Sequence, residues 1–201
     1  MSLKRRKFQR PLGQRHYHKL FVIAVEGAKT EDQYFDIFKG EQSIIRVKCL
    51  KGHHDSSPPQ VLKRMEDYLK KQSLKKSDEA WLVVDKDSWT ENQLLLLNDW
   101  ALSQENYRLA LSNPKFEFWL LLHFEDGGGV TNSRNCSEHL KRHMPDYDKG
   151  IDISKITHHR IISAIKRATK RDNPPCVDWP RNTGTTVYRL VENIINSNVI
   201  N

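Results

Sequence analysis

LFVIAVEG, residues 20–27, is a run of six apolar side chains that stops abruptly at Glu26 and Gly27. A short, unbroken apolar run rich in β-branched residues, with no alternation, predicts a strand buried on both faces, as in parallel sheets. AWLVVD, residues 80–85, repeats the pattern and runs into the acidic DKD at 85–87. Two weaker strands flank these in sequence, at 44–50 (IIRVKCL) and 107–111 (YRLAL).

Between the strands lie helical patterns. TEDQYFDIFKG places Thr30 and Gln33 in capping-box spacing, Tyr34, Phe35 and Phe38 on one face, and Gly40 as a stop. Pro59 opens a second helix to about Lys71, with Val61, Leu62, Met65, Tyr68 and Leu69 as its apolar stripe. Residues 91–104 carry Leu94, Leu95, Leu97, Trp100 and Ala101 on a third, and after the SNP break residues 115–124 form a short apolar one. Beyond the glycines at 127–129 the pattern is wholly helical, at about 136–143, 154–170 and 185–197. Alternation of strand and helix implies an α/β fold: a mainly parallel sheet of about four strands, helices on both faces and a helical C-terminal portion. At 201 residues the chain suits one domain, spanning 20–201, with its α/β part at about 20–124 and its helical part at about 136–197.

The charge is uneven. Net charge is +8, yet Lys4, Arg5, Arg6, Lys7, Arg10, Arg15 and Lys19 fall in the first nineteen residues without one acid. Setting aside these seven of the 33 Lys and Arg leaves 26 bases against 25 acids. Residues 1–19 read as a flexible basic arm whose arginines can lie on nucleic-acid phosphates, or as a solubilising leader. There is no stretch of eighteen apolar residues and no secretory signal pattern, so the chain reads as soluble, cytoplasmic and free of membrane anchorage. Cys49, Cys136 and Cys176 are far apart with no CxxC, which fits neither a disulfide framework nor a thiolate zinc site.

Parallel sheets bind ligands beyond the carboxyl ends of their strands, where loops converge. Glu26 follows the first strand, Asp85 and Asp87 the third, and Ser112 and Asn113 the fourth. Two aspartates two residues apart project to the same side of an extended segment. Hard carboxylate oxygens suit Mg²⁺ or Mn²⁺, and without a cation such acids raise one another's pKa. Acids after strands can equally cap the helices that follow, and DxD alone is weak; Glu-Gly after one buried strand with DxD after another is far more specific.

VEGAKTEDQYF at 25–35 and VVDKD at 83–87 resemble the paired motifs of the Toprim fold. The resemblance implies Glu26 as general acid or base and the Asp85–Asp87 pair as magnesium ligands. SNPKFEFWLLLHFE at 112–125 with TTVYRLVENI at 185–194 is similar to the RloB-like family, Toprim-related proteins grouped with restriction-linked and abortive phage resistance systems. The similarity covers about residues 20–195; Lys115 stands where a small residue or cysteine is usual, and Gly184 where serine is. It implies a metal-dependent nuclease on DNA or RNA, with a non-catalytic nucleic-acid-binding or regulatory subunit as the rival. No GxxxxGK[ST] loop is present, so any ATP dependence would come from a separate ATPase subunit.

Other residues have a functional and a plain reading. Glu117 could add a carboxylate for a second ion, or be a first-turn acid favoured by the helix dipole. Lys29 could touch a phosphate or stand in solvent. Asn113, before Pro114, makes a turn and could orient the site. His123 on an apolar helix reads as a core histidine. The pairs His53–His54, His158–His159 and His16–His18 lack the partners of a zinc site. Trp89 could stack on a base; most of the five tryptophans read as core.

Overall fold

The computed structural model describes residues 18–27, 29–40, 44–51, 57–86 and 89–198. The arm residues Arg5, Arg6, Arg10 and Arg15, and Asp87 of the DxD pair, lie outside them.

The elements run β1 (Lys19–Val25), α1 (Thr30–Asp36), β2 (Ile45–Leu50), α2 (Pro58–Leu69), β3 (Glu79–Asp85), α3 (Glu91–Leu102), β4 (Tyr107–Asn113), α4 (Phe116–Leu121), α5 (Ser133–His143), α6 (His158–Arg171), β5 (Gly184–Thr185) and α7 (Val187–Asn198). Two 3₁₀ turns, Tyr147–Lys149 and Ile153–Lys155, join α5 to α6. The sheet order is β2-β1-β3-β4-β5. The first four strands are parallel, and β5 pairs antiparallel with the end of β4, Ser112 opposite Thr185 and Asn113 opposite Gly184. The α/β reading holds, with one strand more than the sequence pattern implied.

β1 and β3 occupy central positions and are buried on both faces, as their unbroken apolar runs require. Alternate residues feed two cores. Phe21, Ile23 and Val25 pack with Tyr34 and Phe35 of α1 and with α4 to α7; Val22, Ala24, Leu82 and Val84 pack with Val61 and Met65 of α2 and Leu94 and Leu97 of α3.

Two local expectations fail, each for its own reason. Thr30 is the first helical residue rather than a cap; its hydroxyl meets Tyr147 Oη at 3.1 Å, and Gln33 Oε1 accepts from Ile151 N at 3.0 Å. Tertiary partners more than a hundred residues away take the side chains a capping box would use. A capping box does form at α3, where Thr90 and Gln93 bond reciprocally. Leu95, expected in the α3 stripe, is 43% exposed, because a run of four leucines carries no phase and α3 is set by Leu94, Leu97 and Ala101.

His123 is a core histidine, 2% exposed, with Tyr34 Oη at 3.2 Å from Nε2 and Trp119 O at 3.0 Å from Nδ1. Nδ1–H donates to the carbonyl and Nε2 accepts from the tyrosine, which fixes the neutral form. Burial, which disfavours the imidazolium, pulls its pKa down to about 4. Between that value and the unfolded value near 6.5 the unfolded chain holds a proton the folded one refuses, so stability falls as pH drops through this window. The loss approaches about 3 kcal/mol at pH 4. Urea titrations of wild type and His123→Gln should converge at pH 4 from a wild-type advantage at pH 7; a constant difference across that range rejects the account.

Candidate functional site

The first acid of the site follows β1. Glu26 N continues the ladder to Val83 O (3.1 Å), which holds residue 26 against β3. Its carboxylate then turns across the strand end: Oε2 accepts from Asp85 N at 3.0 Å and Oε1 from Trp89 Nε1 at 3.1 Å. Trp89 therefore orients Glu26 through its indole N–H, a role the sequence reading did not assign.

Asp85 ends β3. Its Oδ1 accepts from Phe116 N at 2.8 Å, the first amide of α4, and Lys86 N bonds Ser112 O at 2.8 Å, so the ends of β3 and β4 and the start of α4 converge on one carboxylate. Glu117, one residue into α4, faces the same place. Tyr147 Oη donates to its Oε1 at 2.8 Å, and Lys115 Nζ lies 3.7 Å from the same oxygen. Thr30 completes the relay by donating to Tyr147 Oη. Lys115 also donates to Ser137 Oγ at 2.7 Å, which ties α5 to the site.

A fourth carboxylate was not singled out from the sequence. Glu31, 5% exposed, folds back so that Oε1 accepts from Gly27 N at 3.1 Å. A Cβ on residue 27 would run into Glu31 Oε2, so a larger residue there would push this carboxylate out of its present position. The sequence signal was present in Gly27 with an acid four residues on, but the first turn of any helix favours acids and masked it.

Four acids thus surround the carboxyl ends of β1 and β3. Burial first, then the charges of Glu31, Glu26 and Glu117, push Asp85 well above the usual carboxylate range. Burial, with a further contribution from Glu117, raises Glu31. The hard oxygen donors and their mutual repulsion fit a divalent cation. Among the described residues no three His, Cys, Asp or Glu side chains close on a single ion; Asp87, the second half of the DxD pair, is outside that set.

The remaining candidates separate. Lys29 is exposed in the turn before α1. Asn113 Nδ2 donates to Pro180 O and Arg181 O, each at 3.1 Å, and so anchors a later loop. His18, His158 and His159 are exposed, while His16, His53 and His54 are outside the described residues. Trp81, Trp119 and Trp179 are buried, as expected of core tryptophans.

Among the described residues no helix is long and apolar enough to cross a membrane. A family model described as RloB-like protein matches residues 21–194, which takes in every described residue of the carboxylate site. Neither the curated proteins nor the solved structures give a significant match.

Proposed function

The chain belongs to the RloB-like protein family, and from its strand-end acids we propose that it is a Mg²⁺- or Mn²⁺-dependent phosphodiesterase, a nuclease acting on DNA or RNA in restriction-linked or phage defence. The observation that carries this reading is Asp85, a half-buried carboxylate facing Glu26, Glu31 and Glu117 at the carboxyl edge of a parallel sheet. Such an arrangement is costly to fold unless a cation offsets it.

Asp85, Asp87 and Glu26 would hold the ion, which when bound polarises a phosphate and acidifies a water. Glu26 would receive a proton from the water as its oxygen bonds phosphorus and the leaving sugar oxygen departs with the electron pair of the broken ester bond, to be protonated from solvent. The N–H groups of Asp85 and Trp89 keep the Glu26 carboxylate in one orientation. Glu117, positioned by Tyr147, and Glu31, admitted by Gly27, extend the acid cluster toward a second ion. Lys115 stands beside Glu117, where it can meet the charge of a phosphate.

The rival reading is a non-catalytic nucleic-acid-binding or regulatory subunit that keeps the fold without the chemistry. Incubation with supercoiled plasmid and with total RNA separates the two. Cleavage that appears with Mg²⁺ or Mn²⁺ and stops with EDTA is expected. Binding without cleavage under every metal, with and without a co-purified ATPase, establishes the rival.

A further inference from the structure

Outside the arm, bases and acids nearly cancel, but the fold does not mix them. Residues 133–171 hold ten Lys and Arg against four Asp and Glu, leaving the rest of that region with 16 against 21. α6 concentrates this excess: Arg160, Lys166, Arg167, Lys170 and Arg171, with no acid. Its apolar side, Ile161, Ala164, Ile165 and Ala168, faces the core, so the bases are sorted outward by packing.

Lys166 and Lys170, four residues apart, fall on the exposed face. The arginines flank them and reach back to neutral acceptors, Arg160 to Lys155 O (2.8 Å), Arg167 to Leu122 O (2.7 Å) and Arg171 to Asp126 O (2.7 Å). Carbonyls fix the guanidinium groups without cancelling their charge.

α6 ends at a cavity of about 170 Å³ whose lining includes Arg171, Asp172, Arg181, Asn182, Thr183 and Thr185. The acid of this wall, Asp172, is already paired with Arg189 at 2.6 Å, and Arg181 holds Asp178 at 2.7 Å in an exposed pair that exchanges at little cost. Because β5 is antiparallel to β4, the residues before Gly184 project past the carboxyl end of the sheet, where Asn113 anchors Pro180 and Arg181. Asp85 pairs with Ser112 and Ser112 with Thr185. Thr185, on the wall of the cavity, therefore lies two strand spacings, roughly 10 Å, from Asp85 across the sheet. At about 3.4 Å of rise per nucleotide that is a few nucleotides of strand.

We propose that the exposed face of α6 and the Arg171–Arg181 cavity form a track for a nucleic-acid backbone, with phosphates on Lys166 and Lys170 and one in the cavity. That the track delivers the strand to Asp85 rests on the nuclease reading; that it binds the backbone does not.

Fluorescence anisotropy on the full chain, in EDTA to prevent cleavage, tests this with one single-stranded 20-mer made as DNA and as RNA. Lys166→Ala/Lys170→Ala should lower the slope of log affinity against log salt by about 1.5 and weaken binding about tenfold or more at low salt. Arg181→Ala should weaken it several-fold, while Lys75→Ala/Lys76→Ala, at the opposite end of β3, should leave it unchanged. Track variants that bind both strands like wild type overturn the proposal, as does an equal loss in the control. Wild type that cleaves while track variants bind normally removes the track alone; wild type that never cleaves while they bind poorly removes the nuclease reading alone.

Discussion

Asp85→Asn is expected to reduce metal-dependent cleavage at least about a hundredfold, since loss of an outer-sphere partner alone costs ten- to a hundredfold at metal sites. Asparagine keeps the shape of the side chain and an oxygen for Phe116 N, which Asp85 Oδ1 now accepts at 2.8 Å. What it removes is the charge that faces Glu31, Glu26 and Glu117. The metal-free variant should therefore melt no lower than wild type. Mg²⁺ should raise the melting temperature of wild type, because a ligand that binds only the folded state stabilises it, and should do so far less in the variant. Equal cleavage, or an equal Mg²⁺-induced shift in both proteins, removes Asp85 from the site.

The largest effect on stability is expected of Asp172→Ala. Asp172 is 9% exposed and accepts from Cys176 N (2.9 Å), Tyr188 Oη (2.8 Å) and Arg189 (2.6 Å). Truncation strands a half-buried guanidinium and two further donors, which costs on the order of 3 kcal/mol. For a chain of this size that is roughly 10 °C in melting temperature. Burial pushes Asp172 up, but the bonds from Cys176, Tyr188 and Arg189 outweigh it and hold the carboxyl low. With the folded-state pKa depressed, the stabilisation is present above the unfolded value near 3.9 and is lost as pH falls through the folded one. Calorimetry of both proteins should show the gap narrowing below about pH 4; a gap that stays open there means packing, not charge, is what the alanine removed.

The sheet and two of its acids were legible because two-sided burial leaves a plain signature. The runs at 20–25 and 80–84 contain no polar residue, so the acids that follow them stand out. Glu31 did not, since its helical position already explained an acid. β5 offers only Gly184 and Thr185; hydroxyls place it, Thr185 to Ser112 at 2.8 Å and Thr186 to Leu111 N at 2.9 Å, and no periodicity announces such bonds. Thr30 and Gln33 were misread because their partners, Tyr147 and Ile151, come from the far end of the chain. The basic face of α6 was hidden by counting: near-neutrality of the whole conceals segregation that becomes visible only when the bases are placed on one helix.

The adjacency of β1 and β3 also bears on synthesis. Glu26 meets the Asp85 amide across 59 residues, and Tyr147 reaches Glu117 only after a further stretch of chain. Loop closure over such separations is slow compared with local helix formation, so the acids assemble late in folding. A nascent chain emerging from the ribosome holds no complete set of these groups until residue 147 is out. The arrangement defers any activity of the site until β1, β3, α4 and the turn at Tyr147–Lys149 have all been made.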